Sequence, residues 1–250
     1  MKYLYYVYQI CIGLPIFLVL TILAALTTMA GCWLGNGHFW GYYPGKIWAN
    51  LTCRLFLLPV KVKGHEYLDK KTSYVFVANH QGAFDIFLVY GFLGRNFKWM
   101  MKKSLRKIPF VGKACESAGF IFVDKSSPRK VYETIKNAEK VLKDGTSLVV
   151  FPEGARTFTG HMADFKKGAF LLAHQLQLPV VPLTIDGPFN VLPRTSKLLH
   201  WHKLKLTIHQ PIFPTGKTDE NLQRIMEESY KEIEKDLPVE YQGKIANPDQ

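Results

Sequence analysis

The sequence predicts an α/β fold in which helices cover a mixed, largely parallel sheet, preceded by an N-terminal helical segment that anchors the chain in a membrane. Two observations lead to this prediction. Residues 3–45 contain no Lys, Arg, Asp or Glu, and after Gly64 short β-branched or aromatic runs alternate with helical stretches. We therefore divide the 250 residues into a membrane anchor at 1–60, an α/β domain at 61–240 and a loose tail at 241–250.

The anchor begins with an almost continuous apolar run at residues 10–34. A helix needs about 20 such residues to cross a bilayer, whereas the apolar core of a signal peptide has only about 7–15. Export of the chain stays open as an alternative, because Met29-Ala30-Gly31-Cys32 is similar to a lipoprotein processing site. The basic residues that follow favour a cytoplasmic flank; they are Lys46, Arg54, Lys61 and Lys63. The expected location is the cytoplasmic (inner) membrane, with the α/β domain on the cytosolic side.

The topology of the anchor is left open by the sequence. Several glycines interrupt the apolar pattern before a second segment at residues 47–60, which is too short to span a bilayer. Two helices joined by a glycine-rich turn would form a hairpin dipped into one leaflet. A single span with an external N-terminus fits nearly as well.

The composition indicates a folded, basic protein. The chain is 48% hydrophobic, and its 32 Lys and Arg against 20 Asp and Glu give a formal net charge of +12. Such a charge favours polyanions or an anionic lipid surface as neighbours. The four cysteines are scattered without a C-x-x-C pair, so we interpret them as apolar packing residues and expect no metal site.

The α/β domain is expected to contain strands at residues 74–78, 97–101, 120–123, 147–151, 180–185 and 204–209. Helical spacing of apolar residues predicts a helix over 131–142, between the third and fourth of these strands. A last helix is expected to pack against the domain through an apolar stripe, formed by Leu222, Ile225, Met226, Ile233 and Leu237. From Pro238 onward no periodicity remains, which predicts a loose tail.

The first block of candidate functional residues runs from Asn79 to Asp85, directly after a predicted strand. Ends of strands in α/β proteins commonly bind ligands. An Asp five residues after a His can accept one imidazole N–H and leave the other nitrogen free as a base. On this observation alone the alternative stays open, because an isolated His near the end of a strand is usually an ordinary hydrogen-bonded loop residue.

Three further blocks follow other predicted strands. A tight turn is expected in the second block, Phe151-Pro152-Glu153-Gly154-Ala155-Arg156-Thr157, because it contains Pro and Gly. The guanidinium of Arg156 offers a planar fork of donors suited to a phosphate. The alternative is that Arg156 simply pairs with Glu153 on the surface. A third block ends in Asp124-Lys125, where the lysine is a second candidate phosphate contact. The fourth, Leu178-Pro179-Val180-Val181-Pro182, is suited to a pocket wall.

In order and spacing, these four blocks resemble those of the glycerolipid acyltransferase family, specifically the 1-acyl-sn-glycerol-3-phosphate acyltransferases, over residues 61–212. The resemblance implies that the N-H-x-x-x-x-D block supplies a catalytic pair, His80 and Asp85. It also implies that the glycerol phosphate is bound by residues of the second and third family blocks, here Lys125, Glu153, Gly154 and Arg156. The V-P-V-x-P block would line the site.

The resemblance extends to Lys102-Lys103-Ser104-Leu105, where Lys102 and Lys103 are expected to be extra phosphate contacts. The most important departure from the family pattern is at Lys125. Lys125 stands where the family has arginine, so a bidentate fork is replaced by a point charge. This departure predicts weaker phosphate binding or a different lysolipid acceptor.

The resemblance further implies that a fatty acyl group is moved from acyl-CoA or acyl carrier protein to lysophosphatidic acid, giving phosphatidate, without a cofactor. Membrane lipids are therefore expected partners, whereas nucleic acid is not, because the chain has an anchor and a compact Arg156 turn rather than a long basic face. The G-x-S-x-G, H-E-x-x-H and P-loop patterns are missing from the sequence. Two alternatives remain: an acyltransferase for another lysophospholipid, or a non-catalytic lipid-binding protein of the same fold.

Overall fold

The computed structural model describes residues 2–124, 134, 138, 142 and 145–245. The chain begins with helices α1, Lys2–Tyr8, and α2, Leu14–Trp33, which are joined by a π-helical turn, Gln9–Gly13. Within the described residues, this is the one stretch, Tyr3–Trp33, that is long and apolar enough to cross a membrane. Most of its apolar side chains are exposed, because only its inner face packs on the rest of the protein.

Two more helices complete the N-terminal part, α3, Gly37–Trp40, and α4, Tyr43–Leu55. Helix α4 comes from the second apolar segment of the expected anchor. Its Ala49 and Cys53 are fully buried against α5, Phe84–Phe92, where the missing side chain of Gly91 lets the two helices approach closely. Helix α4 therefore belongs to the packed core.

The strands form a single sheet. They are β1, Val60–Lys63; β2, Val75–Ala78; β3, Phe97–Lys102; β4, Ile121–Val123; β5, Ser147–Val150; β6, Val180–Asp186; and β7, Leu204–Ile208. Their order is β1-β7-β6-β2-β5-β3-β4, and every neighbouring pair is parallel except β6 with β7. The predicted mixed, largely parallel sheet is confirmed, and β1 is an additional strand that the sequence did not indicate.

Helices cover both faces of this sheet because its central strands alternate buried side chains between two cores. Phe76 and Leu183 face the core under α4 and α5, whereas Val75 and Val77 face the core under two later helices. Those helices are α7, Lys167–Leu176, and α9, Asp219–Lys235. The predicted apolar stripe of the last helix lies in this second core, through Leu222, Ile225, Met226, Ile233 and Leu237.

The remaining elements are short. Helix α6, Val111–Ser117, follows a 3-10 turn, Lys103–Lys107, and α8, Pro188–Val191, follows β6. The helix predicted over 131–142 falls almost wholly outside the described residues, although Ala138 and Leu142 are described and lie in the second core.

The chain after Pro238 differs from the loose tail expected there. Val239–Tyr241 form a 3-10 turn, and the Tyr241 hydroxyl donates to Asn190 Oδ1 over 2.8 Å. The Tyr241 ring lies against Gly160, where a Cβ would come within 2.5 Å of it. An aromatic anchor of this kind has no periodic signal in the sequence.

Candidate active site

The sequence-predicted residues converge at one edge of the sheet. His80 follows β2, Arg156 lies in the turn after β5, Lys102 ends β3 and Asp124 follows β4. Because these strands are parallel, their carboxyl ends meet at the same edge. Lys125 lies outside the described residues.

His80 and Asp85 form a hydrogen-bonded pair at the start of α5. Asp85 Oδ2 lies 2.6 Å from His80 Nδ1 and also accepts from the Gly82 N–H over 3.0 Å. The Asp85 side chain is fully buried, whereas that of His80 is 17% exposed. His80 Nε2 makes no hydrogen bond within the described part of the chain, so this nitrogen is available to act as a base.

The environment of Asp85 fixes how the imidazole is used. Burial raises the pKa of the Asp85 carboxyl, and the hydrogen bonds from His80 and Gly82 oppose that rise. Its other oxygen, Oδ1, has no partner among the described residues. The carboxyl therefore depends on the Nδ1–H of His80, which holds the tautomer whose Nε2 is unprotonated.

An aromatic stack holds the imidazole ring. Phe151 lies parallel to His80, with ring centroids 4.0 Å apart and planes inclined by 9°, and Trp99 stacks behind Phe151 at 5.5 Å. With the ring plane set by Phe151 and the Nδ1 direction set by Asp85, His80 has little rotational freedom. This role of Phe151 was not predicted from the sequence, where Phe151 is only the first residue of a block.

Glu153 joins the block of His80 to the block of Arg156 through the backbone. It is buried, and its two carboxylate oxygens accept from the His80 N–H over 2.6 Å and from the Ala163 N–H over 2.8 Å. The Thr157 N–H in turn donates to the His80 carbonyl over 2.9 Å. Burial raises the pKa of Glu153 to about 8, against the effect of the two amide donors. Glu153 therefore braces the backbone of His80, and both of its oxygens are already occupied by backbone N–H groups.

Arg156 is left available for a ligand. Its half-buried side chain makes no hydrogen bond or ion pair within the described residues, so the surface pair with Glu153 that the sequence left open does not form. Gly154 permits the turn that presents Arg156, because it adopts a φ of +80°. The turn is closed by a hydrogen bond from the Gly154 N–H to the Phe151 carbonyl of 3.0 Å.

The two lysines after β3 differ in their environment. Lys103 pairs with Asp124 over 2.9 Å, so part of its charge is already compensated. Lys102 is exposed and has no acidic partner in the described portion of the chain. Lys102 is therefore the freer cation at this edge.

Asn79 is a positioning residue that the sequence analysis did not single out for a role. It is buried, and its side-chain amide donates to the Ile185 carbonyl over 2.8 Å and accepts from the Ile185 N–H over 2.7 Å. This pair of bonds ties the end of β2 to β6 next to His80. Its signal would have been a polar residue directly after a wholly apolar strand.

Comparison with known proteins places this fold and site among relatives. A family model described as Acyltransferase matches residues 59–186. The chain is 33% identical over 68% of its length, and 48% of the relative's, to the chloroplastic 1-acyl-sn-glycerol-3-phosphate acyltransferase LPAT1 of Arabidopsis thaliana. It is 37% identical to the 1-acyl-sn-glycerol-3-phosphate acyltransferase of Saccharomyces cerevisiae, over 62% of this chain and 52% of that protein. It thus spans about half the length of these curated relatives.

A solved structure gives the same result. The 1-acyl-sn-glycerophosphate acyltransferase PlsC from Thermotoga maritima superposes with a TM-score of 0.65 at 28% identity, covering 76% of this chain and 77% of that one. The resemblance indicated by the four sequence blocks is confirmed by these matches. Since the family model covers just over half of the residues and includes both His80 and Arg156, the chain belongs to the acyltransferase family.

Proposed function

We propose that the protein transfers a fatty acyl group from acyl-CoA or acyl carrier protein to the sn-2 hydroxyl of 1-acyl-sn-glycerol-3-phosphate, giving phosphatidate. The single observation that best supports this proposal is the 2.6 Å contact between His80 Nδ1 and the buried Asp85, at the same sheet edge as Arg156, which has no ion-pair partner among the described residues. The relatives in plants, yeast and Thermotoga carry the name of this activity.

In this proposal His80 acts as a general base through Nε2. It takes the proton of the acceptor hydroxyl as that oxygen attacks the thioester carbonyl. The C–S bond then breaks, and the thiolate leaving group takes the proton back from the imidazolium. Asp85 stabilises the imidazolium between these two steps. No resident cofactor or metal is assigned a role.

Arg156 is proposed to hold the phosphate of the acceptor. A guanidinium offers two parallel N–H donors to one phosphate, and this one has no competing acidic partner among the described residues. Lys102 and, less strongly, Lys103 would add positive charge at the same edge, and Lys125 is proposed as a further contact. Glu153 and Gly154 would act on substrate binding through the shape of the turn.

The N-terminal helix supports a membrane-bound setting for this reaction. The acceptor and the product are both lipids, so an enzyme held at the bilayer meets them at high local concentration. The helix Tyr3–Trp33 is apolar enough to provide the anchor. The proposed arrangement places the α/β domain on the cytosolic side, where acyl thioesters are made.

A different lysophospholipid is the second candidate acceptor. Lys125 occupies a position at which the resembling family has arginine, and a point charge recognises a phosphate less specifically than a fork does.

The test is to incubate the purified full chain with labelled acyl-CoA and separate lysophosphatidic acid, lysophosphatidylglycerol and lysophosphatidylethanolamine. Phosphatidate as the dominant product supports the main proposal. Preferential acylation of another lysolipid moves the assignment to the second candidate, and no acyl transfer to any acceptor contradicts both.

A further inference from the structure

The loop between β3 and α6 has a composition that the proposed reaction does not explain. Residues 102–113, which we term the basic loop, run from the last residue of β3 into the first turn of α6, and they contain five lysines and arginines and no Asp or Glu. Three bulky apolar side chains of this loop are exposed, Leu105 by 39%, Ile108 by 43% and Phe110 by 49%. Exposed apolar side chains interleaved with basic ones are typical of segments that lie at the surface of an anionic bilayer.

The backbone of Phe110 adopts an unfavourable conformation, and its side chain is exposed. Its φ of 58° and ψ of −54°, with a hydrogen bond of 2.6 Å from the Val111 N–H to the Pro109 carbonyl, define the rare type of γ-turn. A bulky residue at a positive φ is strained, and glycine would fit this turn better. The combination of strain and exposure at one phenylalanine indicates that its side chain has a contact outside the folded domain.

The loop is rigid enough to present these side chains as a fixed surface. Gly112 packs so closely that a Cβ there would lie 2.1 Å from the Arg106 carbonyl oxygen. Glu116 accepts from both Arg106 and Lys113, which ties the basic loop to α6. Lys107 is exposed and has no acidic partner among the described residues.

The position of the loop adjoins the apolar N-terminal helix. Helix α6 packs on α2, and a cavity between them is lined by Ala25 and Thr28 on one side and by Val111 and Ala114 on the other. Ile22 and Leu26 of α2 point outward. The apolar surface of the candidate membrane helix and that of the basic loop therefore lie on neighbouring elements, and the loop adds lysines such as Lys107 beside its own apolar side chains.

We propose that the basic loop is a second membrane contact, in which Leu105, Ile108 and Phe110 insert among the headgroups of an anionic bilayer and Lys107 binds their phosphates. The loop leaves the sheet at the carboxyl end of β3, the edge that carries His80 and Arg156. Its insertion turns this edge toward the lipid surface, where a lysolipid acceptor resides. An acidic protein is the competing partner for such a charge, but it does not account for the neighbouring apolar helix.

The test uses the full chain in vesicles of phosphatidylcholine and phosphatidylglycerol, with the photoreactive substitution Phe110→p-benzoylphenylalanine. The matched control is the same substitution at Phe213, which is 63% exposed. The neighbouring Ile212 forms backbone hydrogen bonds with Val180 at the amino end of β6, so Phe213 lies at the opposite edge of the sheet from His80. Irradiation is expected to attach lipid at position 110 on the order of tenfold more often than at 213. Adding Lys107→Gln should lower the yield at 110 by about fivefold, the worth of one surface lysine.

A second variant separates loss of contact from loss of fold. Phe110→Gly removes the phenyl ring and relieves the γ-turn, so its thermal midpoint should equal or exceed that of the wild type. Acylation of an acceptor embedded in vesicles should fall, while acylation of a short-chain acceptor dissolved as monomers should not change.

Equal lipid attachment at 110 and 213, or attachment at 110 to an added carrier protein in preference to lipid, would overturn the proposal. The attachment experiment does not depend on the reaction. If the wild type acylates no acceptor, the proposed function fails while the lipid contact is still measured.

Discussion

Replacement of Asp85 by Asn is the change whose effect follows most directly from the geometry. Asp85 Oδ2 accepts from His80 Nδ1 and from the Gly82 N–H, so the Asn carbonyl oxygen is expected to stay at this position and keep both bonds. The Asn NH2 group then takes the place of Oδ1, which already has no partner among the described residues. The substitution should therefore preserve the tautomer of His80 and remove only the negative charge.

The size of the effect is the charge interaction that the imidazolium loses. Two unit charges about 4 Å apart interact by about 4 kcal/mol at an effective dielectric constant of about 20. At about 1.4 kcal/mol per decade, this corresponds to a loss of on the order of 10³ in kcat. The KM values should change little, because Asp85 is buried and touches no substrate in our proposal.

The assay is the initial rate of transfer from labelled oleoyl-CoA to lysophosphatidic acid in mixed micelles, at saturating concentrations of both. Asp69→Asn is the control, since Asp69 is exposed and its carboxylate accepts from the nearby N–H groups of Lys71 and Thr72, far from His80 in sequence. A loss of less than tenfold in a folded Asp85→Asn protein would refute the role that we assign to this carboxylate.

Three further substitutions have distinct expected outcomes. Arg156→Ala should raise the apparent KM for the phosphorylated acceptor by about 10- to 100-fold, the worth of a charge-assisted contact, and an effect confined to the acyl donor would contradict this. Burial raises the pKa of Glu153 from 4.5 to about 8, so protonation of Glu153 stabilises the folded state. This stabilisation is complete below about pH 4.5, and the free energy of unfolding then falls by about 1.4 kcal/mol per pH unit as the pH rises toward 8. Glu153→Gln should abolish this slope in thermal unfolding curves. Asn79→Ala leaves the buried N–H and carbonyl of Ile185 without their side-chain partner, so it should lower the free energy of unfolding by about 2–5 kcal/mol. A decrease of less than about 1 kcal/mol in denaturant titrations would exclude the bracing role.

The fold was predictable for the segments whose burial on both faces requires a run of apolar residues. The central parallel strands are covered on both faces, so they are continuous apolar runs such as Val75–Ala78 and Ser147–Val150, and all predicted strands were found. Strand β1, Val60–Lys63, was missed because it has only two valines, which alternate with two lysines, and because Val60 was taken as the end of the apolar segment 47–60. Its pairing with β7 depends on a segment about 140 residues later, which no local pattern reveals.

The sequence predicts which polar residues lie at the ends of strands, but it does not predict which of them hydrogen-bond to a distant backbone. The residues at the ends of strands, such as His80 and Arg156, stand out because polar groups there interrupt apolar runs. Glu153 was expected at the phosphate, whereas the structure uses it to hold a backbone N–H 73 residues away. The partner of Asn79 is 106 residues distant. Such contacts arise only when the sheet assembles, so tertiary structure decides which polar residues brace the backbone and which are left without a partner among the described residues.

The measurement that tests the central claim most directly compares the wild type with His80→Ala in phosphatidate formation from lysophosphatidic acid and acyl-CoA. Removing His80 leaves the buried Asp85 carboxyl with the Gly82 N–H as its remaining described partner, so the thermal midpoint should fall, and the rates are compared at a temperature at which both proteins are folded. We expect the rate to fall by on the order of 10²–10⁴, the usual contribution of a general base. A folded His80→Ala protein that forms phosphatidate at the wild-type rate would contradict the account.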